Sequence, residues 1–104
     1  MTESAFERLD DVVHQRTRLG VLTILAEVKS ASFTYLRDEL DLSDGNLSRH
    51  LRVLEDAGLV SITKSFKGRT PLTTVKATKA GRKALADHLS ALQEMINRVQ
   101  GESA

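Results

Sequence analysis

Cysteine and tryptophan are missing from this 104-residue chain, and proline and tyrosine occur once each. Without cysteine there can be no disulfide and no thiolate metal site, which fits a reducing, cytoplasmic setting. No apolar run approaches the roughly 18 residues that a membrane span requires, so no membrane partner is expected. The opening residues Met1-Thr2-Glu3-Ser4 have neither a basic flank nor an apolar stretch, so they are not expected to act as a signal peptide. Three Phe and one Tyr are too few to suggest an aromatic-rich ligand pocket. The chain also lacks a supported Ser/His/Asp order, a phosphate-binding glycine loop and a carboxylate pair in an apolar setting. An enzyme is therefore not expected, and no cofactor is called for. There are no repeats and no low-complexity segment, so residues 1–104 read as one domain with a modest core.

What the chain does have is an uneven distribution of charge. Its formal net charge is only +1. Residues 42–83, however, carry nine Lys/Arg against three Asp/Glu, a net +6, whereas residues 1–41 carry −3 and residues 84–104 carry −2. One contiguous basic block is the footprint of a surface that meets phosphate.

Hydrophobic spacing sets the order of elements. Phe6, Leu9, Val12 and Val13 suggest a short amphipathic helix over residues 4–13. After the polar break at His14-Gln15-Arg16-Thr17, Leu19, Leu22, Leu25, Ala26 and Val28 mark the buried side of a second helix, which ends at Lys29-Ser30-Ala31-Ser32. A short third helix spans Thr34 to Leu40. Turn chemistry at residues 41–45 leads to a fourth helix that runs to about Ala57, where Gly58 can take the positive φ that ends it. Leu59 to Phe66 alternates with period two, Lys67-Gly68-Arg69-Thr70-Pro71 is a tip, and Leu72 to Ala77 returns as a second strand. Thr78 can cap a last helix from Lys79 to about Gln100. The fold class is mainly α with a small β-hairpin.

Residues 34–57 have the form of a helix-turn-helix, and the last of its helices has two faces. Leu47, Leu51 and Leu54 form a buried stripe. Gly45, Arg49, Arg52 and Asp56 lie opposite, flanked by Ser48, and Ser43 stands at the N-cap. Small residues first and arginines after suit a helix that enters the major groove of DNA by its N-terminal end. Arg49 is the candidate for a bidentate guanine contact, Asn46 and Ser48 for base edges or phosphate, and Ser43 and Arg52 for phosphate. His50 reads as a packing residue. In the hairpin, residues 59–77, Lys64, Lys67, Arg69 and Thr70 surround the tip, with Arg69 the candidate for the minor groove. Double-stranded DNA is the expected partner. The alternative is a helix-turn-helix module that contacts protein, but such modules tend to lose arginines like Arg49, Arg52 and Arg69.

Leu85, Leu89, Leu92, Ile96 and Val99 follow one another at spacings of four, three, four and three, a heptad-like seam. Paired with Phe6, Leu9 and Val13 across a two-fold axis, the seam would make a homodimer. Its two reading helices would lie about 34 Å apart, on successive major grooves of a palindromic site.

The stretch from Leu42 to Val60, with Leu42-Ser43-Asp44-Gly45-Asn46-Leu47-Ser48 at its head, resembles the winged-helix regulators of the MarR and ArsR type. Thr17-Arg18-Leu19, Phe33-Thr34-Tyr35-Leu36, Lys67-Gly68-Arg69-Thr70-Pro71 and Thr78-Lys79-Ala80-Gly81-Arg82 extend the resemblance over nearly the whole chain. It is most similar to the compact MarR-like group of about a hundred residues. The resemblance implies a winged helix-turn-helix with extra N- and C-terminal dimerisation helices, and a DNA-binding transcriptional regulator, usually dimeric and often a repressor. It also leaves room for a small-molecule effector between the reading domain and the terminal helices, although no residue here demands one. The ArsR-type metal ligands are not matched: Asp87 and His88 are adjacent rather than spaced, and His14, His50 and His88 lie far apart in the sequence. No metal is expected.

Overall fold

The computed structural model describes residues 4–101. Among these residues the elements run α1 (Arg16–Glu27), β1 (Ala31–Ser32), α2 (Phe33–Glu39), α3 (Asp44–Asp56), β2 (Val60–Lys67), β3 (Thr70–Ala77) and α4 (Lys79–Val99). Each helix begins where a polar side chain accepts a hydrogen bond from a free backbone N–H. Gln15 takes that of Arg18, Ser32 that of Tyr35, Ser43 that of Asn46 and Thr78 that of Gly81. Helix α3 ends in paired bonds from Leu59 N to Leu54 O (2.9 Å) and from Gly58 N to Glu55 O (2.9 Å), with Gly58 at φ +77°. Helix α2 ends the same way, but Asp41 occupies the left-handed position, at φ +54°.

The core forms where α1, α2 and α3 pack on one face of the sheet. Val21, Leu22 and Leu25 of α1 meet Leu36 of α2, and Leu47, Leu51 and Leu54 of α3 complete the cluster with Val60 and Val75 from the strands. Ala26 and Val28, expected on the buried side of α1, are exposed; the helix stops at Glu27, and Val28 is already extended at φ −126°, ψ 150°. The sheet order is β1-β3-β2, all antiparallel. Strand β1 lies in a segment expected to be only a helix end. Its two residues, Ala31 and Ser32, pair with Val75 and Thr74, too short a run for any alternation to show in the sequence.

Three further expectations are corrected. The hairpin tip is tighter than residues 67–71, since pairing continues to Lys67↔Thr70. Only Gly68 and Arg69 make the turn, with φ +66° at Gly68 and no positive φ at Arg69, as in a two-residue turn led by glycine. The expected helix over residues 4–13 is instead a series of turns. There the Asp10 side chain accepts from the N–H groups of Val12 (2.8 Å) and Val13 (3.2 Å), which starts a new turn and stops any helix from continuing. Finally, Val13 and Leu85, expected at a dimer interface, are buried in the core of the single protomer. The seam available on α4 is therefore Leu89, Leu92, Ile96 and Val99.

Helix α4 is held against the end of α3 by a close backbone approach. A side chain at Gly81 would place its Cβ 1.9 Å from the Leu59 carbonyl oxygen, so only glycine fits there. Thr78 reinforces this junction, its hydroxyl donating to Gly58 O at 2.7 Å and its N–H to Leu59 O at 3.0 Å.

Candidate nucleic-acid interface

Helix α3 carries its leucines inward, and so its polar face is set outward by geometry. Ser43, Gly45, Asn46, Ser48, Arg49 and Arg52 are all exposed, as are Lys64, Lys67, Arg69 and Thr70 on the hairpin. At 100° per residue, Gly45, Ser48, Arg49 and Arg52 fall within one arc of the helix. A Cβ at Gly45 would have nothing within 4 Å, so this first turn is open to close approach from outside. Arg49 is already positioned, its Nη2 donating to Asn46 Oδ1 at 2.9 Å.

The helix and the hairpin meet in an open groove of about 810 Å³. Ser48 and Arg52 line it from α3, and Lys64 and Thr73 from the strands, over an apolar floor that includes Leu51 and Ile62. The structure thus brings Ser48, Arg52 and Lys64 together. Lys67, Arg69 and Thr70 stand apart from them at the hairpin tip, and Ser43 lies at the head of α3.

Three arrangements escaped the sequence. Asp44, in the first turn of α3, lines the same groove, where a bare carboxylate would repel phosphate. Arg37 of α2 covers it, with Nη1 2.9 Å from Asp44 Oδ1 and Nε 2.9 Å from Asp38 Oδ1. These two carboxylates, Asp38 foremost, hold the guanidinium even further above its ordinary value. A pair seven residues apart, on two different helices, has no spacing signal.

The second arrangement is on the inner side of α3. His50, read as a packing residue, is half-buried and also hydrogen-bonded, with Nδ1 3.1 Å from Arg18 Nη1. A guanidinium can only donate, so this imidazole nitrogen must accept and the ring is neutral, with its proton on Nε2. Burial, then the charges of Arg18 and Arg49, push its pKa down. The same Arg18 donates from Nε to Val12 O (2.6 Å) and from Nη2 to Asp11 O (3.4 Å), fastening α3 to the N-terminal turns.

Histidines judged unrelated by spacing are also brought together. His88 of α4 is fully buried, and its Nδ1 accepts the Asp10 N–H at 3.1 Å. Its proton therefore sits on Nε2, which donates to His14 Nδ1 at 2.9 Å. Burial first, and then His14, lower its pKa against the opposing pull of Asp10. Among the described residues, no group of three or more His, Asp or Glu is arranged to hold a metal ion. None of their helices is long and apolar enough to cross a membrane.

A three-helix core, a capped helix with a basic outer face and a tight hairpin beside it define a winged helix-turn-helix. The family model described as a winged helix DNA-binding domain matches residues 17–96, and the chain belongs to that family. It is 34% identical over 84 residues to an uncharacterized protein of Methanocaldococcus jannaschii, covering 80% of this chain and 90% of that one. It is similar in structure to a transcriptional regulator homologue from Pyrococcus horikoshii, with a TM-score of 0.84 and 34% identity, over 90% of this chain and 94% of that chain. It shares its fold with the regulator MosR of Mycobacterium tuberculosis, solved in complex with DNA, at a TM-score of 0.70 and 18% identity over 96% and 71% of the two chains. It shares its fold as well with the transcriptional regulator BldR of Sulfolobus solfataricus, at a TM-score of 0.70 and 20% identity over 86% of this chain and 63% of that one.

Proposed function

We propose that this chain is a sequence-specific, double-stranded DNA-binding transcriptional regulator of the repressor kind, acting in the cytoplasm as a homodimer on a palindromic operator. The observation that carries the reading is the shared groove. Ser48 and Arg52 of α3 and Lys64 of β2 face the same space, with Arg49 held by Asn46 at the adjoining helix face. In this reading α3 enters the major groove, where Arg49 reads guanine and Asn46 and Ser48 meet base edges or phosphate. Arg52, Ser43, Lys64 and Lys67 neutralise phosphates, and Arg69 and Thr70 reach the neighbouring minor groove.

The dimer reading is supported by what α4 leaves uncovered. Leu89 and Ile96 are about half exposed and Val99 is 89% exposed, although all three are apolar. Phe6 adds a further uncovered apolar side chain, at 74% exposure. A second copy of the chain is the partner that would cover this seam with an identical one. Sedimentation of the full chain carrying Leu89→Glu and Ile96→Glu should shift dimer to monomer, and a dimer that persists would refute this seam.

The DNA reading is tested by titrating duplex DNA at several salt concentrations. For Z neutralised phosphates the log–log slope is about −0.9Z, so a dimer should give about −4 or steeper. Binding that is absent, or insensitive to salt, would contradict the proposal.

A further inference from the structure

Phe66 is 71% exposed, on a strand whose neighbouring side chains are polar or charged. Cross-strand register fixes the face it occupies. Val60↔Ala77, Ile62↔Val75, Lys64↔Thr73 and Phe66↔Pro71 share one face of the hairpin, because side chains alternate with period two. Along that face the first two pairs sit at the core and Lys64/Thr73 line the groove beside α3. Phe66 and Pro71 come next, one pair short of the Lys67↔Thr70 rung that carries the tip. Directly paired residues hold their Cβ atoms about 4.5–5.5 Å apart, so the two rings form a single apolar shoulder. Both are exposed, and both stand on the side of the hairpin that α3 faces.

We propose that Phe66 and Pro71 pack on the deoxyribose edge of the minor groove of duplex DNA, just behind the cationic tip. This rests on the DNA reading above and adds a contact of a different kind to it. Charge complementarity selects the partner: Lys64 precedes the shoulder on the same face and Lys67 and Arg69 follow at the tip, so whatever covers it must be apolar at its centre and anionic at its ends. The deoxyribose ring between two phosphates has that pattern, and Phe and Pro are among the apolar side chains that proteins lay into the minor groove. A sugar contact reads no base and releases no counterion. It therefore adds affinity without adding salt dependence or sequence preference.

The test uses the full chain and a mixed-sequence duplex, alongside the duplex that the chain selects from a random pool. Phe66→Ala should weaken binding about tenfold, or about 1.4 kcal/mol. It should leave the salt slope and the sequence preference as they were, and Phe66→Leu should recover most of the affinity. In hydroxyl-radical footprinting, Phe66→Ala should also lose protection of the minor-groove sugars that flank the site. By contrast, Lys67→Ala should lower the slope by about 1. An unchanged affinity and footprint would overturn the proposal and direct attention to a protein partner for Phe66. A loss that Phe66→Leu does not restore, or one accompanied by a shallower slope, would overturn it as well. If the unaltered chain binds no duplex at all, the DNA reading itself fails. If the unaltered chain binds and Phe66→Ala binds equally well, only the shoulder fails.

Discussion

The reading side of the molecule, α3 with its wing, and the opposite side, the N-terminal turns with α4, are built on different principles. On the outward face of the reading side polar groups are held by near neighbours and stay in water. Ser43 caps Asn46 three residues away, Asn46 holds Arg49 three residues on, and Arg37 reaches Asp44 across a single turn. On the opposite side the polar contacts join distant parts of the chain. Asp10 and His14 meet His88, and Arg8 pairs with Glu94. There an imidazole is wholly enclosed, while apolar residues of the same helix lie open. One side leaves its cations in water, and the other leaves apolar side chains of α4 in water.

The contrast can be broken first at the junction between the two sides. Gly81→Ala forces a methyl group onto the Leu59 carbonyl, so it should cost about 3 kcal/mol of stability or prevent folding, as read by denaturant unfolding. A Gly81→Ala variant as stable as the parent would show that α4 is not fixed against the end of α3. On the reading side, Arg49→Ala should leave stability alone, since the residue is exposed, and cost about 1–3 kcal/mol of discrimination between the selected duplex and a mismatched one. Discrimination equal to that of the parent chain would remove Arg49 from sequence reading.

Acid sharpens the same comparison. In the folded chain His88 and His50 both have lowered pKa values, so the unfolded chain binds protons more readily than the native one. Stability should therefore be complete above the ordinary histidine pKa of about 6.5 and fall as pH drops through it toward the native values. Unfolding midpoints measured from pH 8 to pH 5 check the sign. His88→Gln, whose amide can accept from Asp10 and donate to His14, should flatten the dependence. A stability that rises on acidification would contradict the neutral tautomers assigned here. The smallest effect is expected at Asp41, which sits at φ +54° without the freedom of glycine. Asp41→Gly should stabilise by about 0.5–1 kcal/mol in the same unfolding assay.

Where the sequence was legible follows the same division. Ser43 at the head of α3, the Leu47/Leu51/Leu54 stripe, Gly58 after it and Thr78 before α4 are all local signals, and each lies where spacing and residue chemistry put it. The exposed arginines of α3 follow from that stripe. What spacing could not reveal depended on the tertiary fold. Val13 looked like one face of a terminal helix, but Asp10 breaks that segment and the core takes Val13 in. The His14–His88 pair joins residues 74 apart in sequence, and β1 exists only because β3 lies alongside it. Phe66 was visible as part of a strand, but its face depends on the pairing register with Pro71.

The central claim is that α3 reads DNA sequence and that α4 supplies a second copy of the reader. Selection of duplexes from a random pool by the full chain tests both parts at once. The expected outcome is an enriched inverted repeat whose half-site centres lie about 10 base pairs, or about 34 Å, apart. A selected pool with no enriched sequence would contradict the account.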